Sequence, residues 1–149
     1  MRILRPEDVE LLRALTPAVM KGKIAPGDTA QLDQTLQSFD TLMVDLSEPV
    51  VAGVLQAFDV LSFGLTRGLT TGQWPAWSKA SLDDAERALA RLRDSNIGLL
   101  NAIYAAVIRL IISAWYLIPE NALTTGYPGP PKKVAAVIPA ATPAKEATP

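Results

Sequence analysis

Histidine and cysteine are both absent from this 149-residue chain. Their absence removes thiol catalysis, disulfides, cysteine or imidazole zinc sites, covalent c-type haem and the Ser-His-Asp triad together. It also removes the usual general base near neutral pH. Acid–base chemistry would fall to carboxylates, and Asp83, Asp84 and Glu86 are one candidate set. These follow Ser81-Leu82, where acids complement a helix dipole and a hydroxyl three residues before an acid makes a capping box. They are read as helix-start chemistry. Arg87, Arg91 and Arg93 resemble an anion patch, but their spacing fits a solvated helix face with partners one turn away. The block Gly126-Tyr127-Pro128-Gly129-Pro130-Pro131 is no phosphate cradle, because its prolines remove backbone donors and no helix follows. No catalytic, cofactor-binding or metal-ligating residue is assigned, and the expectation is a protein that is not an enzyme.

Aromatic side chains carry the other signals. Trp74 and Trp77 flank Pro75 in a segment without helical periodicity. Two readings stay open for them: a loop anchored to the core by large side chains, or an aromatic hot spot at an interface. Arg109, inside an apolar run, either snorkels to the surface along its stem or pairs with Asp40, Asp45 or Asp59 on a neighbouring helix.

Helices must position these groups. Pro6, followed by Glu7 and Asp8, suits a helix start, with Val9, Leu12, Leu15 and Val19 on one face. Pro17 is expected to kink or end this helix, and Gly22 to stop it. Asp28 or Thr29 caps a second helix carrying Leu32, Leu36, Phe39, Leu42, Met43 and Leu46. Ser47-Glu48-Pro49 restarts the chain as a third, with Val50, Val51, Val54, Leu55, Phe58, Leu61 and Leu65, and Gly64 and Gly68 bracket its end. A loop is expected over 68–80. Leu82, Ala85, Leu89 and Leu92 line a fourth helix, and residues 97–118 make a long fifth one. That segment is long enough to span a bilayer. Arg109 near its centre costs about 2.5–3.5 kcal/mol there, and four amphipathic helices need an apolar partner. It is therefore read as a core helix, and a membrane span as unlikely. A third reading has part of it exposed and covered only by another protein.

The fold class expected is all-α: a compact bundle of about five helices over 1–131, then a flexible Pro/Ala-rich tail over 132–149. The tail lacks the apolar content to offset ordering entropy. Hydrophobic residues make up 49% of the chain and charged residues 19%, an apolar balance for one domain. A net charge of -1 and no basic run argue against nucleic acid. The N-terminal segment has neither an apolar signal region nor a twin-arginine pair. A cytoplasmic location is expected on that ground, or a periplasmic one if the chain is exported with a partner.

Trp77, residues 81–92, Ala114-Trp115-Tyr116, Pro119-Glu120 and the Gly126-to-Pro131 block form one pattern. It resembles the family of small accessory subunits typified by the third subunit of gluconate 2-dehydrogenase. The resemblance covers residues 74–131, with an echo at 4–18 in Leu4-Arg5-Pro6-Glu7-Asp8. Its more specific part is Trp-Tyr together with Gly-Tyr-Pro-Gly-Pro. It implies a non-catalytic helical partner of a large FAD-dependent dehydrogenase of the glucose–methanol–choline class, needed for that subunit's folding, stability or export. The flavin would sit in the partner and none in this chain, and a cytochrome subunit could complete the complex. Many members carry a twin-arginine signal, which this sequence does not show. The family hands over no catalytic residues. The interface expected from the apolar excess and the motif block comprises Trp115, Tyr116, Tyr127, Pro128 and Pro130, with Trp74 and Trp77. A self-associating or membrane-attached helical protein is the alternative.

Overall fold

A computed structural model describes residues 1–25 and 27–123. Among them are seven α-helices, one short 3-10 turn and no strand: α1 Pro6–Val19, α2 Thr29–Val44, α3 Glu48–Ser62, α4 Gly64–Thr71, the turn Trp77–Lys79, α5 Leu82–Arg93, α6 Gly98–Tyr116 and α7 Pro119–Leu123. The chain divides into two compact units. Met1–Ile118 is the first and holds α1 to α6; the second begins at Pro119, and only α7 of it is described. The expected all-α bundle is present. The tail over 132–149 lies outside the described residues.

Local chemistry explains where most helices begin. Pro6 opens α1, and the Asp8 carboxylate accepts the Arg5 backbone N–H at 2.9 Å. Asp28 caps α2 by accepting the Gln31 N–H at 3.0 Å. Ser81 and Asp84 form a reciprocal capping box on α5, at 3.1 and 3.0 Å. Pro17 does not end α1, which runs on to Val19. One turn from the C-terminus the proline removes a single N–H donor, and Met20 N–H still closes on the Thr16 carbonyl at 2.8 Å. Gly22, at φ +80°, then turns the chain.

α1 packs on α5, α2 on α6, and α5 on α6, while α3 leans on α1 and α4. The shared core holds Leu11, Leu12, Leu15, Leu36, Phe39, Phe58, Leu92 and Ile111, all essentially inaccessible to solvent. Phe39 and Phe58 meet with ring centroids 6.0 Å apart. Each such side chain contributes about 1.5–3 kcal/mol on burial. Leu11 lies in this core, whereas Val9 and Val19 are only half-buried, so the buried face of α1 is turned slightly from the expected stripe. Val50 and Leu82, assigned to core stripes by spacing, are exposed.

The third helix departs most from expectation. Spacing carried it through Leu65, but it stops at Ser62, and α4 leaves at 84° to α3. Three side chains satisfy the carbonyls at the break. Thr66 Oγ1 donates to Val60 O at 2.7 Å, Trp77 Nε1 to Leu61 O at 2.7 Å, and Arg67 Nη1 to Ser62 O at 2.6 Å. A helix end needs such partners for its last four carbonyls, and here they come from downstream residues. The loop expected over 68–80 is accordingly half helix: α4 continues to Thr71, and residues 77–79 form the 3-10 turn.

α6 is buried on one face only. Leu100, Ile103, Val107, Ile111, Ala114 and Trp115 point inward, while Leu99, Ala102, Ala105, Ala106 and Arg109 are exposed. The helix meets the length and composition of a membrane span, with 33% of that window buried. Asn101, polar in an apolar run, donates to the Leu92 and Arg93 carbonyls at 3.1 and 3.0 Å and so closes the end of α5.

Candidate interaction surface

Four large apolar side chains stand out to solvent around α4: Phe63, Leu65, Leu69 and Trp74, each between 57 and 65% exposed. Leu65 and Leu69 are one turn apart on the same helix face. Phe63 is the residue at the bend, and Trp74 follows the Gly72 turn. Large apolar side chains exposed this near one another along the chain are candidates for an interaction site.

This patch is held rather than loose. The Arg67 guanidinium donates to three carbonyls at once: Ser62 O at 2.6 Å, Gln73 O at 3.0 Å and Trp74 O at 2.7 Å. It thereby ties the end of α3 to the segment after α4. Thr71 Oγ1 accepts the Gln73 N–H at 3.1 Å and fixes the turn. The Trp74 ring lies directly on Gly68, where an added Cβ would sit 2.1 Å from the ring. Only with glycine at position 68 can the ring lie there; a side chain would displace it. Arg91 donates to the Leu69 carbonyl at 3.4 Å from α5, so both helices flanking the patch are braced.

The structure separates the sequence candidates. Trp74 is exposed, but Trp77 is 3% exposed and donates its indole N–H into the core. Trp77 is thus a core anchor, and its assignment to an interface is corrected: a side chain this enclosed offers nothing to a partner. Trp115 is 1% exposed, with its ring edge-on to Tyr116 at 4.9 Å and Lys23 Nζ 5.9 Å from its centroid. It too is core, and the same correction applies. Tyr116 is 39% exposed. Tyr127, Pro128 and Pro130 lie outside the described residues. Phe63 and Leu69 escape the sequence reading, and spacing assigns Leu65 to a core stripe; no sequence signal points to the three as a surface.

Arg109 is exposed and joins none of the ion pairs among the described residues. Its stem reaches solvent, as the snorkelling reading holds. Two of the acids proposed for it are used elsewhere. Asp59 pairs with Arg5 at 2.7 Å. Asp40 accepts the backbone N–H groups of Arg2, Ile3 and Leu4 at 2.8–2.9 Å. Burial pushes the Asp40 carboxyl up, but those N–H groups and the N-terminal charge outweigh it and hold it below its ordinary value.

The α5 charges behave as a solvated face. Asp84 closes the capping box and pairs with Arg87, and its carboxyl is lowered chiefly by the Ser81 backbone N–H and then by Arg87. Arg93 pairs with Asp94. Among the described residues no group of three or more acidic side chains is arranged to hold a metal ion.

A second apolar feature runs between α3 and α6, which are not closely packed on each other. It is an open groove of about 400 Å³ whose one polar lining side chain is Gln56. Compared with protein-family models, curated proteins and solved structures, the chain matches none.

Proposed function

We propose that this chain is a non-catalytic helical subunit that binds and stabilises a large FAD-dependent dehydrogenase of the glucose–methanol–choline class. One observation carries the proposal: Phe63, Leu65, Leu69 and Trp74 face solvent on a support braced by Arg67. Exposing large apolar side chains costs solubility, and fixing them in place lowers the ordering cost of association. The sequence pattern from Trp77 to the Gly126–Pro131 block supports the choice of partner. In this reading the flavin belongs to the large subunit, a cytochrome is an optional third component, and this chain supplies surface rather than chemistry.

Co-expression with a large FAD-dependent dehydrogenase of that class, taken from a neighbouring gene where one stands there, tests the proposal. The expected outcome is a co-purifying yellow complex whose large subunit loses solubility or FAD when expressed alone. A large subunit that folds, holds FAD and stays soluble equally well without this chain would overturn it.

A second reading, a membrane-attached helical protein, is favoured by the length and apolar character of α6. Cell fractionation separates the two. Recovery only from membranes selects the second, and recovery in detergent-free buffer with the flavoprotein selects the first.

A further inference from the structure

We propose that the bend between α3 and α4 is a latched hinge, and that the segment from Glu48 to Thr71 has a second form as one continuous helix. The break is confined to Phe63. Its φ of -65° is already helical, and only its ψ of 127° departs from the helical value, which lies near about -42°. The backbone ladder is intact on both sides of it. Phe63 N–H closes on the Asp59 carbonyl at 2.9 Å, and Arg67 N–H closes on the Phe63 carbonyl at 2.7 Å.

Rotation about that one bond exchanges hydrogen bonds almost evenly. A continuous helix would give the Val60, Leu61 and Ser62 carbonyls the N–H groups of Gly64, Leu65 and Thr66. In the bent form the same three carbonyls accept instead from the Thr66 hydroxyl, the Trp77 indole and the Arg67 guanidinium, at 2.6–2.7 Å. Three side-chain donors thus stand in for three backbone donors. The displaced N–H groups open α4, where Phe63, Gly64 and Leu65 are exposed to water. No proline lies between Pro49 and Pro75 to forbid the straight form, and Leu65 continues the Phe58 and Leu61 spacing into it. Against it stand the packing of α4 on α5 and the two glycines, 64 and 68, which weaken a helix interior. The latch and this packing hold the bend, and loss of the latch releases the straight form. Straightening carries α4 away from α5, so the surface of Phe63, Leu65, Leu69 and Trp74 belongs to the bent form alone.

The absence of native cysteine allows a direct test on the isolated chain. Glu48→Cys and Leu69→Cys, both at exposed positions, take spin labels. Their backbones would stand about 32 Å apart along a straight helix, and about 25 Å apart across an 84° bend at Phe63. Double electron–electron resonance should give the shorter distance with the latch intact. Thr66→Val with Arg67→Met, which leaves Trp77 in the core, should make the longer distance the major population. Gly64→Ala added to that pair should raise the ratio of straight to bent about fivefold further. An added Cβ there meets nothing closer than 3.7 Å in the bent form, so it does not itself force the bend open. Amide exchange gives a second readout: removing the latch should raise, not lower, the protection of the Gly64, Leu65 and Thr66 N–H groups. Circular dichroism checks that the variants fold, and Arg67→Met with Gly64→Ala replaces any that do not. A short distance with unprotected amides in the variants overturns the hinge and makes the bend a matter of packing alone. A broad distance distribution with lowered protection, the mark of a frayed segment, overturns it too. Both readouts are made without a partner, so either failure leaves the partner reading intact.

Discussion

Asp40 shows how much one carboxylate can organise in a small helical protein. It is 6% exposed and accepts three consecutive backbone N–H groups, those of Arg2, Ile3 and Leu4. The first four residues are thereby fastened to α2. Asp40→Ala should lower stability by about 2–4 kcal/mol, since bonds to a charged acceptor contribute about 1.5–3 kcal/mol each and the loss is shared with water returning to the N–H groups. The pH dependence has a defined sign. The folded-state carboxyl lies below the ordinary value of 3.8, so its contribution is complete above that value and is lost as pH falls below it. Urea denaturation at pH 7 and at pH 3 should show a gap between wild type and Asp40→Ala that narrows in acid. Gly68 is the other decisive residue. Gly68→Ala forces the Trp74 ring off its seat, because the new Cβ would sit 2.1 Å from it. Overpacking of this kind typically costs about 1–3 kcal/mol. Because the ring can swing into solvent, the loss should fall at the low end, and the clearer readout is faster Trp74 side-chain motion by fluorescence anisotropy.

The bend between α3 and α4 shows what was legible in the sequence at the scale of elements and what was not. Capping signals are local, so Ser81 with Asp84, Asp28, and Pro6 marked their helix starts correctly. Apolar spacing also found the buried faces of α2 and α5, at Leu36, Phe39, Met43, Ala85, Leu89 and Leu92. Leu65 misled because it continues the Phe58 and Leu61 spacing by four residues, although the helix has already ended. What ends it is tertiary: the Trp77 indole and the Arg67 guanidinium reach back to the Leu61 and Ser62 carbonyls. Gly64 marks the neighbourhood of the break in the sequence, but no local pattern announces the side chains that reach back to it. Trp77→Phe keeps an aromatic ring but shrinks it in an enclosed site, and it leaves the Leu61 carbonyl short of a donor there. A loss of about 1–3 kcal/mol in the urea midpoint, with helix content retained by circular dichroism, is the expected outcome. The exposed patch was half legible for the same reason. Trp74 stood out by type, while Phe63, Leu65 and Leu69 become a surface only once α4 turns away from α3.

Across the whole molecule, burial and function draw on different parts of the chain. The Met1–Ile118 unit closes a core around Leu11, Phe39, Phe58 and Trp115 and still leaves two apolar surfaces uncovered, the α4 patch and the α3–α6 groove. Composition already held this excess of apolar residues, but not where it would surface. Trp74→Ala should therefore leave the isolated chain within about 0.5 kcal/mol of wild type in thermal unfolding, as surface substitutions usually do. In the co-purification assay the same variant should lose much of the complex. A large stability loss instead would make Trp74 a structural residue.

The three tryptophans also sort themselves optically. Trp77 and Trp115 are enclosed, and Trp74 alone faces water. Its indole should emit furthest to the red and meet dissolved iodide first, while the other two stay dark to the quencher. A partner arriving on α4 would shift that emission to the blue and shield it, so the chain carries its own unlabelled reporter of association, readable in a cuvette from the first titration.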